Sequence, residues 1–522
     1  MATKVNLDAL IPREDFDVAS EDQISSGATK DTISINDLKA GEFFISSLRK
    51  PDFQRETSEW EAEKICEFIE SFLDADLIPA LILWRSKGSF TFVIDGSHRI
   101  SALAAWINDD YGDGATSKNF YDGNIPDDQL RTADKTRSIV RRRVGAFVDY
   151  ELASKDRTKI ADTLLQQRVN QLGALGIRLQ WVEGSSTKAE QSFFKINQKA
   201  SPIDGTELRV IKARRKANGI AARAIIRSGT GHKYWSAFSS NTQASIASQA
   251  KQIYDLLFEP LLESPVKTLD LPIGGKAYSA QSLALILDLV NICNGIASPS
   301  DETSLIDDVS GEMTDSYLRK TKNILEKINS NDAGSLGLHP VVYFYSPTGR
   351  HKPASLLATV AFVQSLALHK KFKDFITIRK SLEGLLITYE YLIQQIVRHY
   401  RSAIASYLPL CEFFCACLDQ LKNDSDIDKA IIEISKTNAF SFLLVQADKK
   451  IDYLTPDFSR NVKSQIFIRE ALAAALTFPI CGGYVHKHSI SIDHKKRRAD
   501  GGIGEPTNGQ IALPFCNTGV KN

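Results

Sequence analysis

The residues best suited to chemistry lie near the C-terminus, where Asp493 and His494 follow an apolar stretch and Asn508 and Asn517 come after a glycine-rich loop. The Asp493 carboxylate and the Asn517 amide oxygen are hard ligands of the kind that Mg²⁺, Mn²⁺ or another divalent ion prefers. An imidazole exchanges protons near neutral pH, so His494 is suited to activate an attacking water. Asn508 is placed to fix the loop and to orient His494 by hydrogen bonding. The pattern indicates metal-dependent hydrolysis of a phosphodiester.

Four consecutive basic residues follow the Asp-His pair and extend this interpretation to double-stranded DNA. They are Lys495, Lys496, Arg497 and Arg498. Their charges would meet the phosphate backbone. The alternative is an Asp-His pair that merely ends a strand and asparagines that cap a helix, but the joint order of the motifs favours the site. His486 and His488 are expected to be surface histidines of a hairpin rather than ligands.

Two strands and a short helix are predicted to carry these residues. Residues 480–485 and 489–492 have the short apolar pattern of two paired strands, with the turn at 486–488. A basic, glycine-rich loop over 495–504 follows, and a short helix near Asn517 ends the segment. This order is typical of a ββα-metal fold.

The segment over 478–521 resembles the HNH endonuclease family, in the branch with the pattern Asp-His, Asn, Asn. The resemblance implies that Asp493 and Asn517 are the metal ligands, His494 the general base and Asn508 the residue that supports it. Many members of that family hold a structural zinc ion with two Cys-x-x-Cys pairs. Only Cys481 and Cys516 stand in those places, so hydrophobic packing rather than zinc is expected to hold the hairpin.

A second group of polar residues lies at a predicted strand-to-helix turn, Asp95-Gly-Ser-His-Arg99, which follows the apolar runs 80–84 and 90–94. Gly96 permits a tight turn, the start of a helix favours anions, and Arg99 can make a bidentate contact with a phosphate. Taken alone, the motif fits a solvated arginine at a glycine turn about as well. Upstream residues Gln54 and Arg55 and, downstream, the run Phe193-Phe-Lys-Ile-Asn197 add further polar groups.

Together, these motifs over 51–209 resemble the ParB/sulfiredoxin-like superfamily. The resemblance is greatest to the branch found in GmrSD-type modification-dependent restriction systems and in the phosphorothioate-sensing defence nuclease SspE. It implies a domain that binds or hydrolyses a nucleoside triphosphate and gates a nuclease. The residues that it places at the nucleotide are Gln54, Arg55, Asp95, Gly96, His98, Arg99 and Asn197. Ser97 and His98 replace the two glutamines of the usual Asp-Gly-Gln-Gln-Arg turn, and the chain has no P-loop pattern.

Length and periodicity predict an α+β protein of several domains. With 522 residues and the usual domain size of about 100–200 residues, three domains are expected. We predict a flexible arm over 1–40, the ParB/sulfiredoxin-like α/β domain over 41–210, a mainly helical connector over 211–470 and the HNH domain over 471–522. Within the second segment, residues 144–151 have the pattern of a strand.

Charge and hydropathy limit the class of protein. The formal net charge is +1, so DNA binding must rest on local basic surfaces such as 141–143 and 214–216, each of which fits a solvated face equally well. No secretory signal and no apolar run long enough for a membrane span is evident. Seven sparse cysteines fit a reducing cytoplasm. A homo-oligomer is compatible with the sequence, although no heptad pattern is evident.

These features predict a cytoplasmic, metal-dependent HNH endonuclease of a prokaryotic antiviral restriction system. It would act on DNA, including modified or phage DNA, under control of an N-terminal domain that binds a nucleoside triphosphate. Three alternatives stay open. One is a non-catalytic ParB-like DNA-binding protein, another is a toxin-like nuclease that acts on host nucleic acid, and the third is that the N-terminal domain is itself a nuclease.

Overall fold

The structure is a computed structural model, and it describes residues 5–14, 16, 29–52, 54, 60–86, 90–121, 125, 127–156, 163–200, 205–277, 280–296, 299–445 and 457–520. The chain divides into two compact units. One comprises Met1–Arg215, Thr230–Ala237 and Tyr278–Ala284, and the other comprises Lys216–Gly229, Phe238–Ala277 and Leu285–Asn522. The segments predicted as separate domains over 211–470 and 471–522 therefore lie together in the second unit.

A six-stranded mixed sheet organises the first unit, with the spatial order β1-β3-β5-β4-β6-β2. Its strands are β1 (Arg13–Glu14), β2 (Thr32–Ile33), β3 (Leu48–Pro51), β4 (Leu81–Arg85), β5 (Thr91–Asp95) and β6 (Ile177–Val182). The pair β4/β5 is antiparallel, as is β2/β6, and the other neighbours are parallel. Strand β5, which was predicted from its apolar run, thus lies inside the sheet.

Helices pack around this sheet. They are α1 (Phe43–Ser47), α2 (Ala62–Leu73), α3 (Ser97–Asn108), α4 (Ala115–Phe120), α5 (Asp127–Arg143), α6 (Phe147–Lys155), α7 (Thr163–Leu172), α8 (Ser186–Ala200) and α9 (Gly205–Lys212). Alternate residues of β4 and β5 enter two apolar cores, because successive strand residues point to opposite faces. The pair Leu83 and Val93 joins one core, and the pair Trp84 and Phe92 joins the other.

The predicted flexible arm over 1–40 is wrong for the described residues of that stretch. Val5 and Ile11 are buried in the core of the first unit, and β1 and β2 are two strands of its sheet. A buried ion cluster supplies the reason. Asp8 accepts hydrogen bonds from Arg13 (2.8 Å) and Lys50 (2.6 Å), and all three side chains are fully buried. Leaving any one of them unpaired in the core would be costly.

The predicted strand over 144–151 is also wrong, because these residues enter helix α6. Its buried side chains are Phe147, Tyr150 and Ala153, whose spacing follows one face of a helix rather than the alternation of a strand. Asp149 accepts a hydrogen bond from the Ala146 backbone N–H at 3.3 Å and thereby closes the first turn.

The remaining helices confirm the predicted helical character of the middle of the chain. They are α10 (Ala217–Ile226), α11 (Ser240–Phe258), α12 (Ala280–Cys293), α13 (Pro299–Ser304), α14 (Glu312–Ile328), α15 (Pro340–Tyr343), α16 (Pro353–Leu368), α17 (Phe372–Thr388), α18 (Glu390–Tyr400), α19 (Ala403–Asn423), α20 (Ile427–Lys436) and α21 (Arg460–Ala473). Within the described part of the chain, α19 alone has the length and apolar composition of a membrane span. The core helix of a soluble protein has the same composition, and α19 packs against α16 and α17.

Two short strands lie at the C-terminal end, but they are not the predicted pair. Strand β7 (Ser491–His494) pairs antiparallel with β8 (Gly509–Ala512), and a π-helical turn over Cys516–Val520 follows. The predicted strand 480–485 is instead an irregular segment that makes an isolated bridge between Thr477 and Tyr484. Its backbone forms a hydrogen bond outside any strand pairing, because the Tyr484 N–H donates to the Glu383 carboxylate of α17 at 2.9 Å. The basic loop therefore lies between the two paired strands and not after both of them, and the short helical turn near Asn517 is where it was predicted.

Candidate functional site

The turn between β5 and α3 is tight, and a glycine is required in it. Gly96 has a φ of 100°, a conformation that other residues rarely adopt. A Cβ atom at this position would lie 2.3 Å from the Leu81 Cδ2 atom. Helix α3 begins at the next residue, so its first backbone N–H groups lie beside Asp95. The predicted strand-to-helix turn is therefore present.

The side chain of Arg99 folds back over the β5–α3 turn. Its Nη2 atom donates to Asp95 Oδ2 at 2.7 Å, and its Nη1 atom donates to the Pro79 carbonyl oxygen. Burial lowers the pKa of the Arg99 guanidinium, and the neighbouring Asp95 carboxylate opposes that effect. The predicted phosphate ligand is thus engaged by a carboxylate in this structure. An anion at the turn would compete with Asp95 for the guanidinium.

The turn borders a cavity of about 460 Å³. Five of the seven residues predicted at the nucleotide line it together. They are Gln54, Asp95, Gly96, His98 and Arg99. Arg55 lies outside the described residues, and Asn197 lies in α8 with its side chain outside the described part of the chain. The cavity therefore brings together those predicted residues whose side chains are described.

Aromatic and cationic groups line another part of this cavity. The rings of Trp60 and His98 stack with their centroids 5.8 Å apart, and the Lys64 Nζ atom lies 5.1 Å from the Trp60 ring centroid. Lys64 was not predicted as a site residue. The only sequence signal for it is its position four residues after Trp60, one turn along the same chain segment. It adds a flexible cation to the cavity.

Two arginines hold the loop that carries Gln54 by hydrogen bonds. Arg13 donates to the carbonyl oxygens of both Pro51 and Gln54. Asp52 in the same loop accepts a hydrogen bond from Arg214 at 3.1 Å. The buried Asp8 cluster that holds Arg13 is therefore also a support for this wall of the cavity.

The two basic clusters that could have bound DNA are largely engaged within the protein. Arg141 pairs with Asp109 at 2.8 Å, and Arg143 pairs with Glu70 at 2.6 Å. In the second cluster, Arg214 pairs with Asp52, and Lys216 donates to two backbone carbonyl oxygens. Each of these paired cations would have to exchange its internal partner for a phosphate in order to bind DNA.

The second site is built on the register of β7 and β8. Asp493 lies opposite Gln510, and His494 lies opposite Gly509. Asp493 is buried, at 7% exposure, and its Oδ2 atom accepts a hydrogen bond from Gln510 Nε2 at 2.9 Å. Gln510 was not predicted as a site residue, since its contact with Asp493 depends on a strand pairing that the sequence did not reveal.

His494 is more open than Asp493. Strand alternation places it with Ile492 on the face opposite to Asp493, and Ile492 is 63% exposed. The Arg498 Nε atom donates to His494 Nε2 at 3.5 Å. Asp493 and His494 nevertheless border one cavity of about 490 Å³ at the end of the two-stranded sheet.

Asn508 closes the loop between the strands. Its Oδ1 atom accepts from the Lys496 backbone N–H at 2.8 Å, and its Nδ2 atom donates to the carbonyl oxygens of Lys496 and Ile503. The predicted support of the loop is thus seen as backbone bonds, and none of these bonds reaches the His494 ring. The loop presents the four basic side chains predicted to meet DNA, all of them exposed. They are Lys495, Lys496, Arg497 and Arg498.

Asn517 is tied to the strand that carries Asp493. Its Nδ2 atom donates to Ser491 Oγ at 2.6 Å and to the Ile492 carbonyl oxygen at 3.3 Å. Both bonds use the amide nitrogen, so a cation would be held by the amide oxygen. The buried Asp493 carboxylate and the amide of Asn517, which is bonded to the strand of Asp493, supply oxygen donors of the kind that suits Mg²⁺ or Mn²⁺, with water completing the shell. Among the described residues, no group of three His, Cys, Asp or Glu side chains could hold a metal ion.

Cys481 and Cys516 lie in contact with each other. The Cys516 thiol donates a hydrogen bond to Cys481, and this bond, opposed by burial and helped by the nearby Arg379, lowers the pKa of Cys481 to about 6. His486 is not the surface histidine that was predicted. It is 4% exposed, and its Nε2 atom lies 3.0 Å from Asp270 Oδ1.

Comparison with known proteins relates part of the chain to a described family. Residues 35–213 match the family described as the GmrSD restriction endonuclease, N-terminal domain. This range contains β3 to β6 and the whole of the β5–α3 turn. No curated protein and no solved structure matches the chain.

Proposed function

We propose that this chain, whose residues 35–213 match the N-terminal domain of the GmrSD restriction endonucleases, is a divalent-metal-dependent DNA endonuclease of a restriction-type defence system. The observation that carries the proposal is the C-terminal arrangement. A buried Asp493 carboxylate and His494 share one cavity, Asn517 is bonded to the same strand, and an exposed basic loop adjoins them. A nuclease site needs these three parts: oxygen ligands, a base and cations for the backbone.

Each residue has a part in the proposed hydrolysis. Lys496 and Arg497 hold the phosphates of the duplex through charge. His494 accepts a proton from a water molecule whose oxygen attacks the phosphorus, and the bond from phosphorus to the leaving sugar oxygen breaks. Asp493 and Asn517 would hold the divalent ion, which supplies Lewis-acid stabilisation of the charge on the phosphate.

Two neighbours, Arg498 and Asn508, decide when His494 can take this role. Arg498 is placed to donate to its Nε2 atom, and Asn508 fixes the loop on which Arg498 lies. Since the guanidinium donates to the nitrogen that would take the proton, Arg498 must release His494 when substrate binds. A DNA phosphate is a suitable alternative partner for that guanidinium.

The N-terminal cavity is the proposed site of a nucleoside triphosphate. Its polyphosphate would lie at the start of α3, where backbone N–H groups point outward and Lys64 adds positive charge. Arg99 would exchange Asp95 for a phosphate oxygen. That exchange offers a means by which nucleotide changes the β5–α3 turn, and through it the activity of the nuclease.

The test is cleavage of modified and unmodified phage DNA and of plasmid DNA, with Mg²⁺ or Mn²⁺ and each nucleoside triphosphate in turn. We expect metal-dependent cleavage that is lost in His494→Ala and retained in His488→Ala, a matched histidine of the same unit. Binding of DNA without cleavage by the wild type under all these conditions would favour the DNA-binding alternative. Loss of host viability on expression, relieved by His494→Ala, would favour the toxin-like alternative.

A further inference from the structure

A set of exposed lysines follows one side of helix α17. Lys370 lies in the turn between α16 and α17, Lys373 and Lys380 lie in α17 itself, and all three side chains are exposed. Because Lys373 and Lys380 are separated by about two helical turns, they share one face of α17 and lie about 10 Å apart along its axis. Together, Lys370, Lys373 and Lys380 form a lysine row.

The neighbouring charges of α17 are paired within the protein, but those of the lysine row are not. Lys371 pairs with Asp419 at 2.9 Å, and Asp374 pairs with Lys422 at 2.8 Å. Within the part of the chain that the structure describes, no Asp or Glu side chain lies within ion-pair distance of an ammonium group of the row. Three positive charges therefore face solvent without a carboxylate partner from those residues.

The start of α17 contacts the segment that carries the proposed nuclease site. The ring of Phe372, the first residue of α17, packs against the ring of Phe515, with their centroids 5.6 Å apart. Phe515 lies two residues before Asn517, whose amide donates to Ser491 of β7. The lysine row therefore begins beside the short turn that holds Asn517.

The far end of the lysine row lies against the same C-terminal segment. A Cβ atom on Gly482 would lie 2.9 Å from the Lys380 Cβ atom, so the backbone at Gly482 packs on the stem of this lysine. A lysine can bury its methylene groups in this way and keep its charged end in water. Both ends of the row adjoin the C-terminal segment, and the row is therefore continuous with its surface.

The backbone at Lys370 has a conformation that is unusual for a lysine. Its φ is 55°, and its N–H group donates to the Ala367 carbonyl oxygen at 3.3 Å. The next N–H group in the chain donates to the Leu366 carbonyl oxygen at 2.8 Å, which completes the Schellman ending of α16. Glycine is the usual residue at this left-handed position, because it adopts it without a steric penalty. A lysine here is expected if its charge has a use at the surface.

We propose that the lysine row is a second contact surface for the phosphate backbone of double-stranded DNA, in addition to the basic loop over 495–498. The inference rests on the proposed function, because the duplex that the row holds is the substrate of that nuclease. Each DNA strand carries one charge per about 3.4 Å of helix axis, so cations spaced by about 10 Å can meet phosphates along it. Contacts with phosphates position a duplex without reading its sequence. The row would lengthen the bound stretch of DNA and would not select bases.

The experiment measures the binding of a fluorescent DNA duplex of mixed sequence by anisotropy, at several salt concentrations and without a divalent metal. All proteins are full-length and carry His494→Ala, so that no cleavage occurs. The row variant combines Lys370→Gly, Lys373→Ala and Lys380→Ala, and the glycine keeps the left-handed turn. Each lost phosphate contact lowers the slope of log affinity against log salt by about 0.9, so we expect a slope smaller by about 2.7.

A matched control removes the same number of lysines from other exposed surfaces of the second unit. It combines Lys320→Ala, Lys429→Ala and Lys436→Ala, and it should keep the slope of the protein with the intact row. Thermal unfolding of each variant serves as the folding control.

A second measurement needs no substitution in the row. Lysines are acetylated with and without the duplex and are identified by mass spectrometry. We expect DNA to protect the lysine row from acetylation and to leave Lys320 as reactive as before.

The outcomes separate this inference from the proposed function. If the protein with the intact row binds no duplex, the proposed function is wrong. If it binds, and Lys496→Ala lowers the slope while the row variant does not, the role of the row is wrong and the proposed function stands. An equal fall of the slope in the row variant and the control would show that net charge alone governs binding, and would overturn the role of the row. Unchanged acetylation of the row in the presence of DNA would overturn it as well.

Discussion

The two candidate sites differ in how the protein treats its own charges. Around the N-terminal cavity two arginines are paired internally, Arg99 with Asp95 and Arg214 with Asp52. Around the C-terminal cavity the basic loop is exposed, and Lys496 and Arg497 point to solvent. A cavity with paired charges suits a small ligand that exchanges partners with it, and an exposed basic loop suits a long polyanion. The following predictions test that division.

The largest effect is expected at His494. Replacement by Ala removes the proposed proton acceptor, and general-base catalysis commonly contributes about 10²–10⁴-fold. Cleavage should therefore fall by that factor in a plasmid-nicking assay, with nucleotide binding at the other cavity unchanged. Cleavage that survives both His494→Ala and Asp493→Ala would show that the nuclease site is not the C-terminal cavity, and the proposed division of roles between the two sites would be wrong.

A second large effect is expected at the buried ion pair below the C-terminal segment. Arg379 is fully buried; it donates to Glu383 and to the carbonyl oxygens of Leu336 and Gly337. A Cβ atom on Gly483 would lie 1.9 Å from the Arg379 Nε atom, so the segment rests directly on the guanidinium. Arg379→Met leaves the buried Glu383 carboxylate without its cation and should lower the free energy of unfolding by about 3–5 kcal/mol.

Urea denaturation followed by circular dichroism measures this cost. The double variant Arg379→Met, Glu383→Leu is the control, because replacing both members of a buried pair by apolar residues is commonly close to neutral. A single variant as stable as the wild type would show that the pair does not hold the segment.

At the N-terminal cavity, Arg99→Ala should weaken nucleotide binding. A charge-assisted hydrogen bond contributes about 1.5–3 kcal/mol, which corresponds to a loss of about 10–150-fold in affinity. Isothermal titration calorimetry with a non-hydrolysable nucleoside triphosphate measures it. Arg143→Ala, on the surface of the same unit and paired with Glu70, is the matched control. Equal affinities for the two variants would remove Arg99 from the site.

The turn at Gly96 and the helical middle could be predicted because their signals are local. A glycine after an apolar strand and a helical spacing of apolar residues depend only on neighbours in the chain. The contacts of Lys64 and Gln510 could not be predicted in this way. Gln510 meets Asp493 only because β8 pairs with β7 in one register, and a shift of one residue would turn it to the other face.

The errors have a common physical origin in distant contacts. Residues 480–485 have a strand pattern, but Glu383 takes the Tyr484 backbone N–H that a strand partner would need. The polar stretch near Asp8 has the sequence of a flexible arm, but in the structure it is buried because Asp8 pairs with Arg13 and Lys50. Likewise, His486 was predicted to be a surface residue, but it is buried beside Asp270. In each case a side chain far away in the sequence decides the outcome.

A smaller effect concerns the pH dependence of stability in the second unit. Burial, with the charges of His486 and Arg379, lowers the pKa of His339 to about 3. The unfolded chain therefore binds a proton below the ordinary value of about 6.5, while the folded protein does not. Stability should fall as the pH is lowered through this range, by at most about 1.4 kcal/mol per pH unit.

Between about pH 6.5 and 4 this slope can be measured before most carboxylates titrate. Denaturation curves at several pH values should show a smaller slope for His339→Phe, which keeps a ring beside His486 and Tyr484. The variant His369→Phe, an exposed histidine of the same unit, is the control and should leave the slope unchanged. An unaltered slope in His339→Phe would show that other groups govern acid stability.

The smallest effect is expected at the exposed basic loop beside the C-terminal cavity. Because Lys496 is exposed and its side chain would contact only phosphates, Lys496→Ala should weaken DNA binding about equally for all sequences. It should also reduce the slope of log affinity against log salt by about 1, the contribution of one phosphate contact. Fluorescence anisotropy with a catalytically inactive His494→Ala background at several salt concentrations measures both quantities. Lys436→Ala, at a surface site paired with Glu433, should leave the slope as it is. If both variants keep the wild-type slope, the loop does not meet the duplex, and its exposed charge is only a solvated surface like that of α20.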